Sequence, residues 1–264
     1  MAKQKGIIKI HGTIKGTTYY PLFGEHISRR ANGPSKERIQ TDPAFAKQRA
    51  NNQEFGMASR LSKAIRTGIL ETTKEFQDNT ISSRLTGVCY RIIQEGSGPP
   101  GKREANLANN PQALIGFKLK NKQALDSTYT AKPIITSHKN RRIITLSIPN
   151  SNQIHLYQTP KTATHFQLTA ALSVVSSYKC RPNQKTYRPT TPKHNALGTS
   201  QKTEPLLCKI EHTNLQIQLE TPVKMAVSPQ ASLVVWFGIQ YLKLKDSQTH
   251  TFKNSQVMQC IHLL

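Results

Sequence analysis

Residues Leu233–Leu244 read LVVWFGIQYLKL. A half-buried strand alternates apolar and polar side chains with period two, because successive residues point to opposite faces. Here both faces are apolar, so the segment reads as a central strand. Upstream, THFQLTAALSVVS (164–176) places Phe166, Leu168, Ala170, Leu172 and Val174 on alternate positions. NLQIQLE (214–220) sets Leu215, Ile217 and Leu219 against Asn214, Gln216 and Gln218. ALIGFKL (113–119), KPIIT (132–136), RRIITLSI (141–148) and TFKNSQVMQCIHLL (251–264) complete a run of short strands. That spacing predicts an antiparallel β-sandwich-like domain over 113–264. The basic, proline-containing stretch 179–203 between two of these strands reads as a long loop.

The period changes toward the N-terminus. Ala58, Leu61, Ala64, Ile65, Gly68 and Ile69 keep helical spacing, and predict a helix from about Pro43 to Leu70 that Gly56 interrupts. Its start is TDPAFAKQRANNQEFG (41–56), with Asp42 as N-cap and Pro43 at the first helical position. Leu85, Val88, Cys89, Ile92 and Ile93 form the stripe of a second helix over 82–94, which GSGPPG (96–101) ends. Neither stripe is self-sufficient; each has to pack on the other, on the β part or on a neighbouring subunit. Residues 6–20 read as two short strands punctuated by Gly12 and Gly16, and 21–40 as loop. The expected architecture is α+β: an N-terminal β arm (1–40), a two-helix segment (41–95), a linker (96–112) and the antiparallel β domain.

Lys and Arg number 37 against 14 Asp and Glu, a net charge of +23. Such a field attracts nucleic acid or another polyanion. The candidate contacts are Arg29, Arg30, Lys139, Arg141, Arg142, Arg181, Lys185 and Arg188, with Tyr178 and Tyr187 flanking the last group. A further basic run is Lys118, Lys120 and Lys122.

Chemistry is harder to find. The four cysteines, at 89, 180, 208 and 260, form no CxxC pair, so neither zinc nor a disulfide framework is expected. The β half holds six carboxylates, Glu104, Asp126, Glu204, Glu211, Glu220 and Asp246, and no two have supporting context for acid/base or metal chemistry. GxSxG, P-loop and strand-borne GxGxxG motifs are missing. His165 reads as a surface side chain and Cys89 as core. No catalytic residue, metal or cofactor is expected. There is no secretory h-region and no apolar run of 18 residues, so the expectation is synthesis in the cytoplasm without membrane insertion. Release by lysis or in an extracellular assembly stays open.

MAKQKGIIKIHGTIKGTTYY (1–20), GPSKERIQTDPAF (33–45), R-x-NNQEFG (49–56) and SSRLT (82–86) resemble a family of uncharacterised Bacteroidota proteins of similar length. ATHFQLTAALSVVSSY (163–178) and VVWFGIQYL (234–242) are similar to that family's C-terminal β segments. The resemblance implies a helical N-terminal part joined to a β-rich part without an enzyme site. This chain departs from the family in being much more basic.

Two functional expectations follow. The first is a non-enzymatic structural protein that self-assembles into a filament, tube or particle. Ile7, Ile8 and Ile10 would anchor an exchanged arm, and Phe45, Phe55, Leu61 and Ile65 would bury at a helix contact. The second is a basic polyanion-binding protein.

Overall fold

The computed structural model describes residues 2–30, 33–121, 123–180, 186–245 and 248–264. The chain forms two compact units, Met1–Arg49 and Ala50–Leu264.

The smaller unit is an antiparallel sheet of β1 (Ala2–Lys3), β2 (Gly12–Ile14), β3 (Thr17–Leu22) and β4 (Glu25–Arg30), in the order β1-β4-β3-β2. Two-residue turns join β2 to β3 (Lys15-Gly16) and β3 to β4 (Phe23-Gly24). All four turn residues have positive φ, the backbone that matches the twist of a tight hairpin. The expected arm is therefore already paired within its own unit. Ile7–Ile10 lies outside the strands, in the loop between β1 and β2, and β4 occupies part of the predicted 21–40 loop. Helix α1 (Lys36–Thr41) occupies more of it, capped by the Ser35 hydroxyl, which accepts from the Arg38 N–H. Asp42 ends α1 and accepts from the Ala44 N–H, starting the 3-10 turn Pro43–Phe45 that runs into α2 (Ala46–Gly68). Gly56 does not interrupt α2; it lies on the exposed side, and the buried positions Glu54, Met57, Ala58, Leu61 and Ile65 continue past it.

In the larger unit α2 is followed by α3 (Leu70–Phe76) and α4 (Ile81–Gln94). The strands are β5 (Ile134–Ser137), β6 (Ile143–Ser151), β7 (His165–Ser176), β8 (Tyr178–Lys179), β9 (Arg188–Pro189), β10 (Leu197–Lys202), β11 (Leu206–Leu207), β12 (His212–Glu220), β13 (Ala231–Lys245), β14 (Gln248–Thr251) and β15 (Val257–Leu263). β13 is central, as expected. It pairs with β7 over twelve positions on one side and with β15 and β14 on the other. β10 and β11 extend the sheet beyond β7. A second antiparallel sheet has the order β12-β6-β5. The mixed α and antiparallel β architecture, with sandwiched sheets, is thus the one read from the sequence.

Each face of the large sheet has its own core. Phe166, Leu168, Leu172, Leu233, Val235 and Phe237 meet Ile144, Leu146, Ile148, Ile217 and Leu219 of the second sheet. Ala171, Val175, Val234, Trp236, Met258 and Cys260, one position out of phase, meet the helices. Leu61 and Ile65 of α2 and Leu85, Cys89 and Ile92 of α4 are fully buried there. That corrects the intersubunit role expected for Leu61 and Ile65. The outer face of the sheet is apolar and needs cover, and the helical stripes of the same chain provide it. Contact between helix and sheet is close. Ser173 donates to the Ile65 carbonyl (2.9 Å) and accepts from the Trp236 indole N–H (3.2 Å). A Cβ on Gly198 would lie 1.9 Å from the Gly68 carbonyl oxygen, so the chains can approach this closely only without a side chain.

The expected linker 96–112 is also packed, with Ala105 and Leu107 buried. Buried Glu54 accepts from the Gly101 N–H (2.7 Å) and Arg103 (3.0 Å), and Ala105 pairs with Tyr178. Gly101 has φ +88° and sits against Ala50, where a Cβ would come within 2.9 Å. The NNQEFG string is therefore a structural clasp: Glu54 ties down this segment, and Asn51 accepts from the Tyr90 hydroxyl.

Candidate anion-binding groove

Along α2, Arg60, Lys63 and Thr67 follow one another at i, i+3 and i+7, flanking the buried stripe. Their solvent-facing edge forms one wall of a groove of about 370 Å³. The other wall is Arg188 and Pro189 of β9, with Asn195 and Ala196 before β10. Tyr178 and Tyr187 line it with buried rings. Tyr187 donates to the Arg103 carbonyl (2.8 Å), and Tyr178 accepts from the Asn195 carboxamide (2.7 Å). Burial raises the Tyr178 phenol above its ordinary pKa, while the Asn195 hydrogen bond and the positive charge of Arg60 pull it the other way. Both tyrosines are thus committed to the fold rather than free to stack on bases.

Arg60, Lys63 and Arg188 are all exposed, and none forms an ion pair with a carboxylate among the described residues. Three cations around one concave surface, unneutralised from within, make a local positive potential suited to an anion. Arg188 was named from the sequence; Arg60 and Lys63 were not. Their signal was legible as basic residues at helical spacing beside the apolar stripe, but they lie more than a hundred residues from Arg188.

The other expected contacts disperse. Arg29 and Arg30 are exposed at the end of β4, Arg29 lying over the Tyr20 ring. Lys139 is exposed in the β5–β6 turn. Arg141 is half-buried and donates to the carbonyls of Ser228 (2.8 Å), Ala231 and Leu264 (2.9 Å each), so it clamps chain segments. Arg142 is paired with Glu220 at 2.5 Å. Arg181 and Lys185, like Lys122 and Asp246, lie outside the described residues. Of the expected assembly residues, Ile7, Ile8 and Ile10 are exposed, and Phe45 is half-buried beneath Arg38. Phe55 is 55% exposed, edge-on to Tyr90.

A larger cavity of about 580 Å³ is lined by Asp78, Thr80, Lys120, Asn121, Gln123 and Asn254, among others. Its carboxylate is already engaged. Burial disfavours the charged form of Asp78, but hydrogen bonds from the Asn121 N–H, the Thr80 hydroxyl and N–H, and Arg84 outweigh it and hold the pKa at about 2. Lys120 donates to the Lys253 carbonyl (2.7 Å). The cluster latches the start of α4 to residues 118–121 and leaves Asp78 without a proton to exchange near neutral pH. Among the described residues no group of three His, Cys, Asp or Glu side chains is placed to hold a metal ion. Burial pushes the Cys208 thiol up to about 11 and Cys260 to about 12, and raises Cys89 as well, so these thiols stay protonated. No helix among the described residues is long and apolar enough to cross a membrane.

No family model and no curated protein matches the chain. Among solved structures, the crystal structure of Parabacteroides merdae beta-glucuronidase aligns with 51% of this chain at 12% identity and a TM-score of 0.22. A second structure of that enzyme, with glycerol in its active site, aligns with 49% at 11% identity and a TM-score of 0.21. In both cases the match spans 13% of the enzyme's length. Likeness of that extent carries nothing about activity.

Proposed function

We propose that this chain is a non-enzymatic binding protein that takes a polyanion, with nucleic-acid phosphates seated in the groove between α2 and β9. The observation that carries this reading is the convergence of Arg60, Lys63 and Arg188 without a carboxylate partner among the described residues. The net charge of +23 supplies long-range attraction, and the groove supplies a place where that charge is focused. Binding of a labelled DNA duplex should weaken steeply with salt. Each phosphate contact adds about 0.9 to the slope of log affinity against log salt concentration. Replacing Arg60, Lys63 and Arg188 together by Ala should lower that slope by roughly 2–3. Absent binding at low salt, or an unchanged slope in the triple variant, would refute the reading.

A second reading is self-assembly. It is favoured by β5, an edge strand on whose outer side no strand pairs among the described residues, with Ile134 57% exposed. Purified protein should then form regular particles or filaments in negative stain, and Ile134→Lys should dissolve them. A monomer at high concentration would remove this reading.

A further inference from the structure

The β1–β2 loop is built to hold two isoleucines in water. The Gln4 side chain closes it like a missing rung of sheet: its oxygen accepts from the Ile10 N–H (2.9 Å) and its NH₂ donates to the Ile10 carbonyl (3.2 Å). The Lys9 ammonium donates to the Gln4 carbonyl (2.6 Å). Between these ties stands KGIIK (5–9), with Ile7 fully exposed and Ile8 83% exposed.

A second apolar tip lies at the same end of the small sheet. The Gln4 N–H bonds to the His26 carbonyl, next to the start of β4. At the other neck of the loop, the His11 ring stands edge-on to His26 at 5.2 Å. Three residues before His26 is Phe23, at the apex of the β3–β4 turn. It is 98% exposed with φ +50°. A bulky L-residue is disfavoured in that backbone region, and such a turn prefers Asn, Asp or Gly. Phe23 is thus unfavourable for its turn and absent from any core, which points to a use outside the fold.

The surroundings of the two tips are cationic. Lys3, Lys5 and Lys9 flank them, and Glu25 is neutralised by Lys3 at 2.6 Å. Residues 1–49 hold ten Lys and Arg against three Asp and Glu, net +7. Two copies meeting tip to tip would bring these lysines together, so a second copy is a poor occupant. Three side chains on two narrow tips also fall short of the area a stable protein interface buries. An anionic bilayer surface offers both things needed: an acyl boundary for apolar tips and headgroup charge for the lysines.

We infer that the end of the small sheet formed by Ile7, Ile8 and Phe23 docks the protein on anionic lipid surfaces, by shallow insertion of the two tips. The full chain sediments with vesicles of phosphatidylcholine and phosphatidylglycerol, and much less with phosphatidylcholine alone. Phe23→Asn, which suits the turn, and the double variant Ile7→Ser/Ile8→Ser each lower the bound fraction at least about fivefold. The Arg60, Lys63 and Arg188 triple variant keeps vesicle binding, which separates this surface from the groove. Circular dichroism checks each variant's fold; if the isoleucine variant does not fold, Phe23→Asn carries the test. Vesicle binding unchanged in Phe23→Asn would mean general charge attraction and overturn the inference. So would no binding at all, or a change of oligomeric state in place of a change in vesicle binding.

Discussion

Trp236, Phe237 and Ile65 have no exposed surface in the 50–264 unit, while Ile7, Ile8 and Phe23 of the 1–49 unit stand almost wholly in water. Among the described residues of the small unit, Ile27 is the one apolar side chain that is buried. The large unit is held by two apolar cores, one on each face of the same sheet. The small unit is held by strand pairing, two tight turns and side-chain ties such as Gln4 to Ile10. Hydrogen bonds alone give modest net stability, so these two kinds of construction should differ in local opening. The difference also leaves Ile7 and Phe23 of the small unit's loops more exposed than Met225 or Ile154, the most exposed large apolar side chains of the large unit among the described residues.

Hydrogen exchange would test this contrast most strongly. Amides of β7 and β13 should exchange at least about 10³-fold more slowly than those of β3 and β4; equal protection would break the comparison. Next in size, Trp236→Ala removes a fully buried indole between sheet and helices, with an expected loss of about 3–5 kcal/mol in urea unfolding. Gly198→Ala would test the close approach of α2 to β10. Overpacking against the Gly68 carbonyl should cost roughly 1–3 kcal/mol, and a neutral effect would mean the helix can shift.

The Asp78 latch gives a pH signature. Its folded pKa of about 2 lies below the ordinary 3.8, so the stabilisation is complete above about pH 4 and disappears as pH falls toward 2. About 1–2 kcal/mol should be lost over that window, and Asp78→Asn should flatten this part of the profile in denaturant titrations. The smallest effect has the opposite sign. Phe23→Asn should relieve the turn by about 0.5–1 kcal/mol, read as slower exchange of residues 17–30. Destabilisation there would mean that Phe23 serves the fold after all, and would bring the two units closer in kind.

Much of the large unit was legible in the chain. Alternation in 164–176 and 214–220, the doubly apolar 233–244 segment and the stripe of 82–94 all report which side of an element meets apolar neighbours. The clasp role of Glu54 and the burial of 96–112 were hidden, because a glycine- and proline-rich segment has no periodicity whether it is packed or free. The groove was half visible. Arg188 stood out in a basic stretch, whereas Arg60 and Lys63 looked like the solvated flank of a helix.

The sequence by itself determined the type and orientation of the strongly periodic elements, because hydrophobic period is a local property that follows from backbone geometry. It misread 113–119, a turn bridged at Lys118 and not a strand, and the expected 179–203 loop, which contains β9 and β10. Only the tertiary structure decided that the helical stripes cover the outer face of this chain's own sheet. It alone placed two helix cations beside Arg188 and paired the expected arm within its own unit. Those outcomes depend on which distant segments meet, and spacing along the chain holds no record of that.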